Sequence, residues 1–213
     1  GMHSSLSYSH FSLGHLKEAL EEADKQMKIA ESFDPSWHPK LSPLLLKGLC
    51  YVQMDSLEEA SKIAEEIKAL NLRRAEMRWY LLLIGLIELE KKNNAKAIEY
   101  LKEALSLEPH QGDVVGDNDN AFFIEPLARA YFESADLENA RKEYEEITRL
   151  TTGRLDYGDI YARSFYMLGK TYERQGKKAA AIANYQRFLE LWKDADPGLP
   201  EVDGARQRLT ALR

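Results

Sequence analysis

One pattern recurs five times along this chain and leaves it few architectures to adopt. Leu44-x2-Lys47-Gly48-x2-Tyr51 is followed by Ala60-x3-Ala64, and Leu81-x2-Ile84-Gly85-x2-Glu88 by Ala97-x3-Leu101. Ile124-x2-Leu127-Ala128-x2-Tyr131 leads to Ala140-x3-Tyr144, and Phe165-x2-Leu168-Gly169-x2-Tyr172 to Ala181-x3-Tyr185. A weaker copy, His3-x2-Leu6-Ser7-x2-His10 with Ala19-x3-Ala23, opens the chain. The pivotal alanines stand 41, 37, 43 and 41 residues apart. A supersecondary unit repeated at such a period buries its apolar face only by stacking on its neighbours.

Each unit reads as two amphipathic helices, for example Arg73–Lys91 and Asn94–Leu107, with Ala97, Leu101, Ala104 and Leu105 at helical spacing. Gly48, Gly85, Ala128 and Gly169 are small where the paired helices must approach closely. Ala60, Ala97, Ala140 and Ala181 are small on the partner helix for the same reason. Tyr51, Tyr131 and Tyr172 are expected to fill the space between units. Asp55-Ser56, Asn93-Asn94, Ala135-Asp136 and Gln175-Gly176 supply turn residues between the two helices. Ser56-x-x-Glu59 has capping-box spacing. After Pro197-Gly198-Leu199-Pro200, the 3-4-3 spacing of Val202, Ala205, Leu209 and Leu212 predicts a terminal capping helix, with Asp203, Arg206 and Arg208 largely facing elsewhere.

The motif of an aromatic or leucine, Leu-Gly, Tyr, then Ala, an aromatic and Pro (here Pro109) resembles the tetratricopeptide repeat, whose unit is about 34 residues. Each interval here thus carries an insertion. The resemblance covers nearly the whole chain and implies an all-α, right-handed superhelical solenoid of about five helix pairs plus a capping helix. One domain over 1–213 is expected, with repeats at 3–35, 40–72, 73–110, 118–154 and 157–196 and the cap at 199–212. The stretch Leu191-Trp192-Lys193-Asp194-Ala195-Asp196-Pro197 also resembles the tail of bacterial multidomain signalling proteins that end in such an array.

Composition removes other function classes. Lys+Arg 29 against Asp+Glu 35 gives a net charge of −6, which argues against a general nucleic-acid binder. The single cysteine, Cys50, excludes an internal disulfide and any cysteine-rich metal site, and reads as a small buried hydrophobe. His3, His10, His15, His38 and His110 are scattered and form no HExxH pair. Gly112–Asn120 looks superficially like a calcium loop, but counting from Asp117 the sixth and twelfth positions hold Phe122 and Ala128 where glycine and glutamate are needed. With no GxGxxG, Walker loop or GxSxG, neither catalysis nor a cofactor is expected. Gly1 ahead of Met2 reads as a tag scar. No signal peptide is visible, and the longest apolar run, Trp79 to Ile87, is nine residues where a spanning helix needs about 20. A cytoplasmic protein with no membrane contact is the expectation.

In the family that the chain resembles, the first helix of each unit lines the concave surface. Carried onto this chain, the resemblance implies a groove of Leu45, Leu49, Trp79, Leu82, Leu86 and Leu89, continuing as Phe122, Arg129, Phe132, Arg163, Tyr166, Lys170 and Arg174. Val52 and Glu125 on the same faces belong to it as well. The first part is apolar and the second aromatic and basic. Residues 163–213 hold 10 Lys+Arg and 6 Asp+Glu, a net of +4. The expected partner is a protein or peptide segment with a large apolar anchor beside acidic residues. The alternative is a self-associating module whose apolar groove half is the homodimer contact.

Overall fold

The computed structural model describes residues 9–11, 13–33, 38–107, 120–150, 158–195 and 198–212. Pro109, His110, the stretch 112–119, His3 and the opening of the first copy lie outside them. Among the described residues ten long helices occur and no strand. They are α1 (Leu16–Ala30), α2 (Leu41–Gln53), α3 (Leu57–Lys68), α4 (Met77–Glu90), α5 (Asn94–Ser106), α6 (Asn120–Glu133), α7 (Leu137–Arg149), α8 (Gly158–Arg174), α9 (Lys178–Leu191) and α10 (Pro200–Leu212). The chain divides into two compact units, residues 1–110 with α1–α5 and residues 111–213 with α6–α10. Within each, helices pair in sequence and each pair packs on the next: α2/α3 and α4/α5 in the first unit, α6/α7 and α8/α9 in the second.

The small residues make the pairing possible. Ala19, Ala60, Ala97, Ala140 and Ala181 are completely buried. A Cβ on Gly85 would stand 2.7 Å from Leu101 Cγ of its partner helix, and one on Gly48 2.5 Å from Leu83 Cδ2 on α4 of the next pair. Contacts under 3.0 Å force something to shift. Tyr172 leaves α8 to reach the preceding pair, where its hydroxyl donates to Glu145 Oε1 of α7 at 2.6 Å.

One backbone device closes every pair. Gly14, Asp55, Lys92, Ala135 and Gly176 each precede a pivotal alanine by five residues, and all have left-handed φ, between 57° and 75°. The amides after them (His15, Ser56, Asn93, Asp136 and Lys177) donate to the carbonyls of His10, Tyr51, Glu88, Tyr131 and Tyr172 at 2.8–2.9 Å. The left-handed residues themselves donate to Phe11, Val52, Leu89, Phe132 and Glu173. This double closure is the Schellman motif, which satisfies the orphan carbonyls of a helix end. Its presence at Gly14 shows that the opening copy turns as the other four do. The capping box expected at Ser56 does not form, since Ser56 makes no side-chain cap bond. Only Asp136 among these five cap positions caps through its side chain, accepting from the Asn139 amide at 3.2 Å.

Two helices differ from expectation. The first helix of the 73–110 unit starts at Met77 rather than Arg73. Glu76 accepts from both the amide and the guanidinium of Arg73, holding that stretch as a turn. On α10, Val202, Ala205 and Leu209 are buried against Tyr185 and Phe188 as the periodicity requires. Arg208, however, turns inward to an ion pair with Glu173 at 2.9 Å rather than facing away.

Candidate functional site

The residues expected to line one groove fall into two groups, one in each unit, and the structure treats the groups differently. In the first unit α4 packs against α2, α3 and α5, so nearly its whole circumference is covered. That explains why a helix apolar all round is stable here. Leu82 and Leu89 are fully buried, and Leu49 and Leu86 are buried as well. These four belong to the core, which corrects the expectation that they present an open apolar surface. Leu45 and Trp79 remain partly exposed, with the Arg78 guanidinium 5.6 Å from the Trp79 ring centroid. Val52 is buried.

In the second unit α8 contacts both the first helix α6 and the terminal helix α10, and the face it shares with them carries a cluster of rings and cations. Phe132, near the end of α6, is its centre. Lys170 Nζ lies 5.1 Å and the Arg174 guanidinium 4.6 Å from the Phe132 ring centroid. One Arg174 N–H donates to the Phe132 carbonyl at 2.9 Å, fixing the guanidinium across the ring. The same Lys170 ammonium sits 5.5 Å from the Tyr166 ring. Lys170 and Arg174 are one turn apart on α8, which is why a single ring on the neighbouring helix meets both. Cation–ring contacts of this kind contribute about 0.5–1 kcal/mol at exposed sites and more when desolvated.

Tyr166 is held from below and beside. Its ring packs on Tyr185 and Phe188 with centroids 5.9 and 5.4 Å away. From α10, Gly204 allows close approach: a Cβ there would lie 2.8 Å from the Tyr166 hydroxyl oxygen. Glu173 anchors the third cation, accepting from Arg208 at 2.9 Å and from the Tyr185 hydroxyl at 2.7 Å. Burial, then the neighbouring charges of Arg208 and Arg174, lowers the Lys170 ammonium pKa, and Glu133 and Glu173 offset this only in part. Among the described residues no carboxylate lies within ion-pair distance of Lys170 or Arg174.

The other expected residues of this unit stand apart from that cluster. Arg163 lies over Trp192 at 5.5 Å and pairs with Asp159 at 3.6 Å and Glu201 at 3.4 Å, so its charge is balanced locally. Phe122 packs edge-on against Phe123. Arg129 and Glu125 are half-buried, close enough to Tyr144 to act on its hydroxyl electrostatically. Arg208 and Trp192 were missed by the sequence reading. Arg208 sits three residues after buried Ala205 and one before Leu209, at the edge of the apolar stripe, so the α10 periodicity already held that signal. Trp192 lies just past α9 and outside the repeated motif, and its own sequence offers no cue.

Among the described residues there is no group of three His, Cys, Asp or Glu side chains able to hold a metal ion. No helix there is long and apolar enough to cross a membrane. Cys50 is fully buried, and burial pushes its thiol up to about 11, so it is a poor nucleophile in the folded protein.

Two tetratricopeptide-repeat family models match the chain, one over residues 122–194 and one over residues 80–111. Tetratricopeptide repeat protein 37 of Xenopus laevis is 28% identical over 193 residues, which is 89% of this chain and 11% of that protein. The chain spans 17% or less of the length of the curated relatives it matches. Among solved structures, BtubC from P. vanneervenii superposes with a TM-score of 0.68 at 16% identity, covering 92% of this chain and 82% of that one. YrrB, a TPR protein with an unusual peptide-binding site, gives a TM-score of 0.54 at 16% identity over 96% of this chain and 90% of its own.

Proposed function

We propose that the tetratricopeptide repeats of this chain form a non-catalytic scaffold, and that the α6–α8–α10 face holds a peptide or protein segment. The observation that carries this reading is the pair of cations, Lys170 and Arg174, fixed over Phe132 with no carboxylate at ion-pair distance among the described residues. Two positive charges held side by side and partly desolvated are stabilised by an anion from outside. The rings of Phe132 and Tyr166 beside them offer apolar contact to a large neighbouring side chain. A segment with an apolar anchor next to acidic residues matches both. The anchor would carry most of the affinity and the charges would set orientation and association rate. Trp79, still partly exposed in the first unit, is retained as a separate apolar contact. Nucleic acid and membrane are not partners in this reading. In a larger signalling protein the array would serve as its regulatory arm.

Selection of peptides displayed on phage, followed by affinity measurement, tests the proposal. Selected sequences should share a large apolar residue beside Asp or Glu, and Lys170→Ala with Arg174→Ala should weaken them at least about tenfold. Selection that enriches nothing, or ligands indifferent to the double variant, would reject this face as the binding surface.

A second reading, self-association, draws on a different place. Leu13 is 71% and Phe33 60% exposed, one before and one after α1. Sedimentation velocity over a hundredfold dilution should then shift with concentration, and Phe33→Ser should abolish the shift.

A further inference from the structure

We infer that the anionic group accepted on the α6–α8–α10 face is a phosphomonoester on a peptide side chain, not a lone carboxylate. This rests on the peptide-binding reading above and specifies the charged group within it.

Charge balance in a restricted space favours a dianion here. Arg208 is paired with Glu173, whose Oε2 also accepts from Tyr185. Glu173 thus already balances one cation of the cluster and offsets Lys170 only in part. Lys170 and Arg174 remain as two adjacent positive charges set against aromatic rings, with Arg208 repelling Lys170 and Glu133 and Glu173 offsetting that only in part. A single carboxylate balances one of them and leaves the other facing repulsion from its neighbours. A phosphomonoester carries about −1.5 to −2 charges at neutral pH on three strong acceptor oxygens, and so balances both.

Geometry points the same way. Arg174 is pre-set by its bond to the Phe132 carbonyl, so little side-chain freedom is lost when its remaining N–H groups engage an anion. Lys170 offers three donors from an ammonium flanked by Phe132 and Tyr166. Rings on these sides exclude water and strengthen charge-assisted hydrogen bonds. Lys170 is half-buried between helices, a setting that admits a projecting phosphorylated side chain better than the plane of a lipid bilayer.

The test uses the full chain and three fluorescent peptide libraries with degenerate flanks around a central phosphoserine, glutamate or serine. Polarisation at fixed salt reads affinity. The phosphoserine library should bind at least about tenfold more tightly than the glutamate library. Lys170→Gln and Arg174→Gln should each erase most of that preference, Lys170→Arg should keep it, and Arg187→Gln, whose partner is Glu190, should leave it unchanged. Circular dichroism melts confirm that each variant is folded. Equal binding of the phosphoserine and glutamate libraries overturns the phosphate inference while leaving peptide binding intact. If none of the libraries binds, the peptide-binding reading fails with it. Competition by inorganic phosphate as effective as by the phosphopeptides would make this a free-anion site and overturn the proposal. So would equal affinity for phosphatidylcholine vesicles carrying a phosphoinositide.

Discussion

A Cβ placed on Gly169 would stand 2.5 Å from Cε1 of Tyr185, closer than real Cβ contacts come. The ring has nowhere to go, because Tyr185 is fully buried and its hydroxyl is bonded to Glu173. Gly169→Ala should therefore destabilise the second unit by about 1–3 kcal/mol in urea unfolding, despite the better helix propensity of alanine. Gly48→Ala meets only the flexible ends of Leu83 and Ile63 and should cost less. Equal losses in the two variants would contradict the assigned rigidity of Tyr185.

The five left-handed positions make a second prediction. Ala135 adopts φ of 65° and Lys92 of 63°, a region costing an ordinary residue about 1–2 kcal/mol. Glycine removes that cost but adds backbone entropy to the unfolded chain. Ala135→Gly and Lys92→Gly should each stabilise the protein by about 0.5–1 kcal/mol, and Gly176→Ala should destabilise it by a similar amount. Paired urea titrations check the signs, and destabilisation by Ala135→Gly would contradict the Schellman closure.

Those positions also show where the sequence was legible and where it was not. The alanines and glycines of the helix contacts could be read directly, because close approach tolerates few residue types and recurs with the repeat. The turn pairs could be read too, and Asp55, Ala135 and Gly176 fall in them, but not which residue turns left-handed, since Lys92 and Ala135 carry no preference for that conformation. There the packing of the two helices imposes a conformation that the residue alone disfavours. The basic-aromatic cluster was partly legible: the resemblance to the repeat family implies one surface for Phe132, Tyr166, Lys170 and Arg174. Arg208 comes from α10, beyond the repeats, so its arrival beside Glu173 depends on how the last helix docks. The error at Leu82 and Leu89 has a similar source. Helical spacing says which residues share a face, but not that α4 is enclosed by three neighbours.

Cys50 supplies a probe of local opening. It is fully buried beside Ala19, Ala23 and Leu46, with its thiol pushed up to about 11. In the native protein at pH 8 it should react with a disulfide reagent at least about 100-fold more slowly than in urea, through transient opening alone. Rapid native labelling would mean that the α1–α2 contact is largely open in solution.

Acid should reveal the Glu76 junction. Its carboxylate accepts from the Arg73 guanidinium and amide and lies 2.8 Å from His38 Nδ1, tying the segment before α4 to the segment before α2. The Arg73 side-chain bond is the main cause that holds the Glu76 carboxyl at about 2, from an ordinary 4.5, with the Arg73 amide and His38 adding to it against the opposing effect of burial. A carboxyl depressed by folding stabilises the native state fully above its unfolded pKa, and that contribution is lost as pH falls toward the folded value. Glu76→Gln should thus destabilise the protein at pH 6–8, and the gap between parent and variant should close as pH drops from about 4.5 to about 2. Thermal melts of both proteins across that range measure the gap directly. A gap that stays constant with pH would show that Glu76 acts through packing and not through its charge.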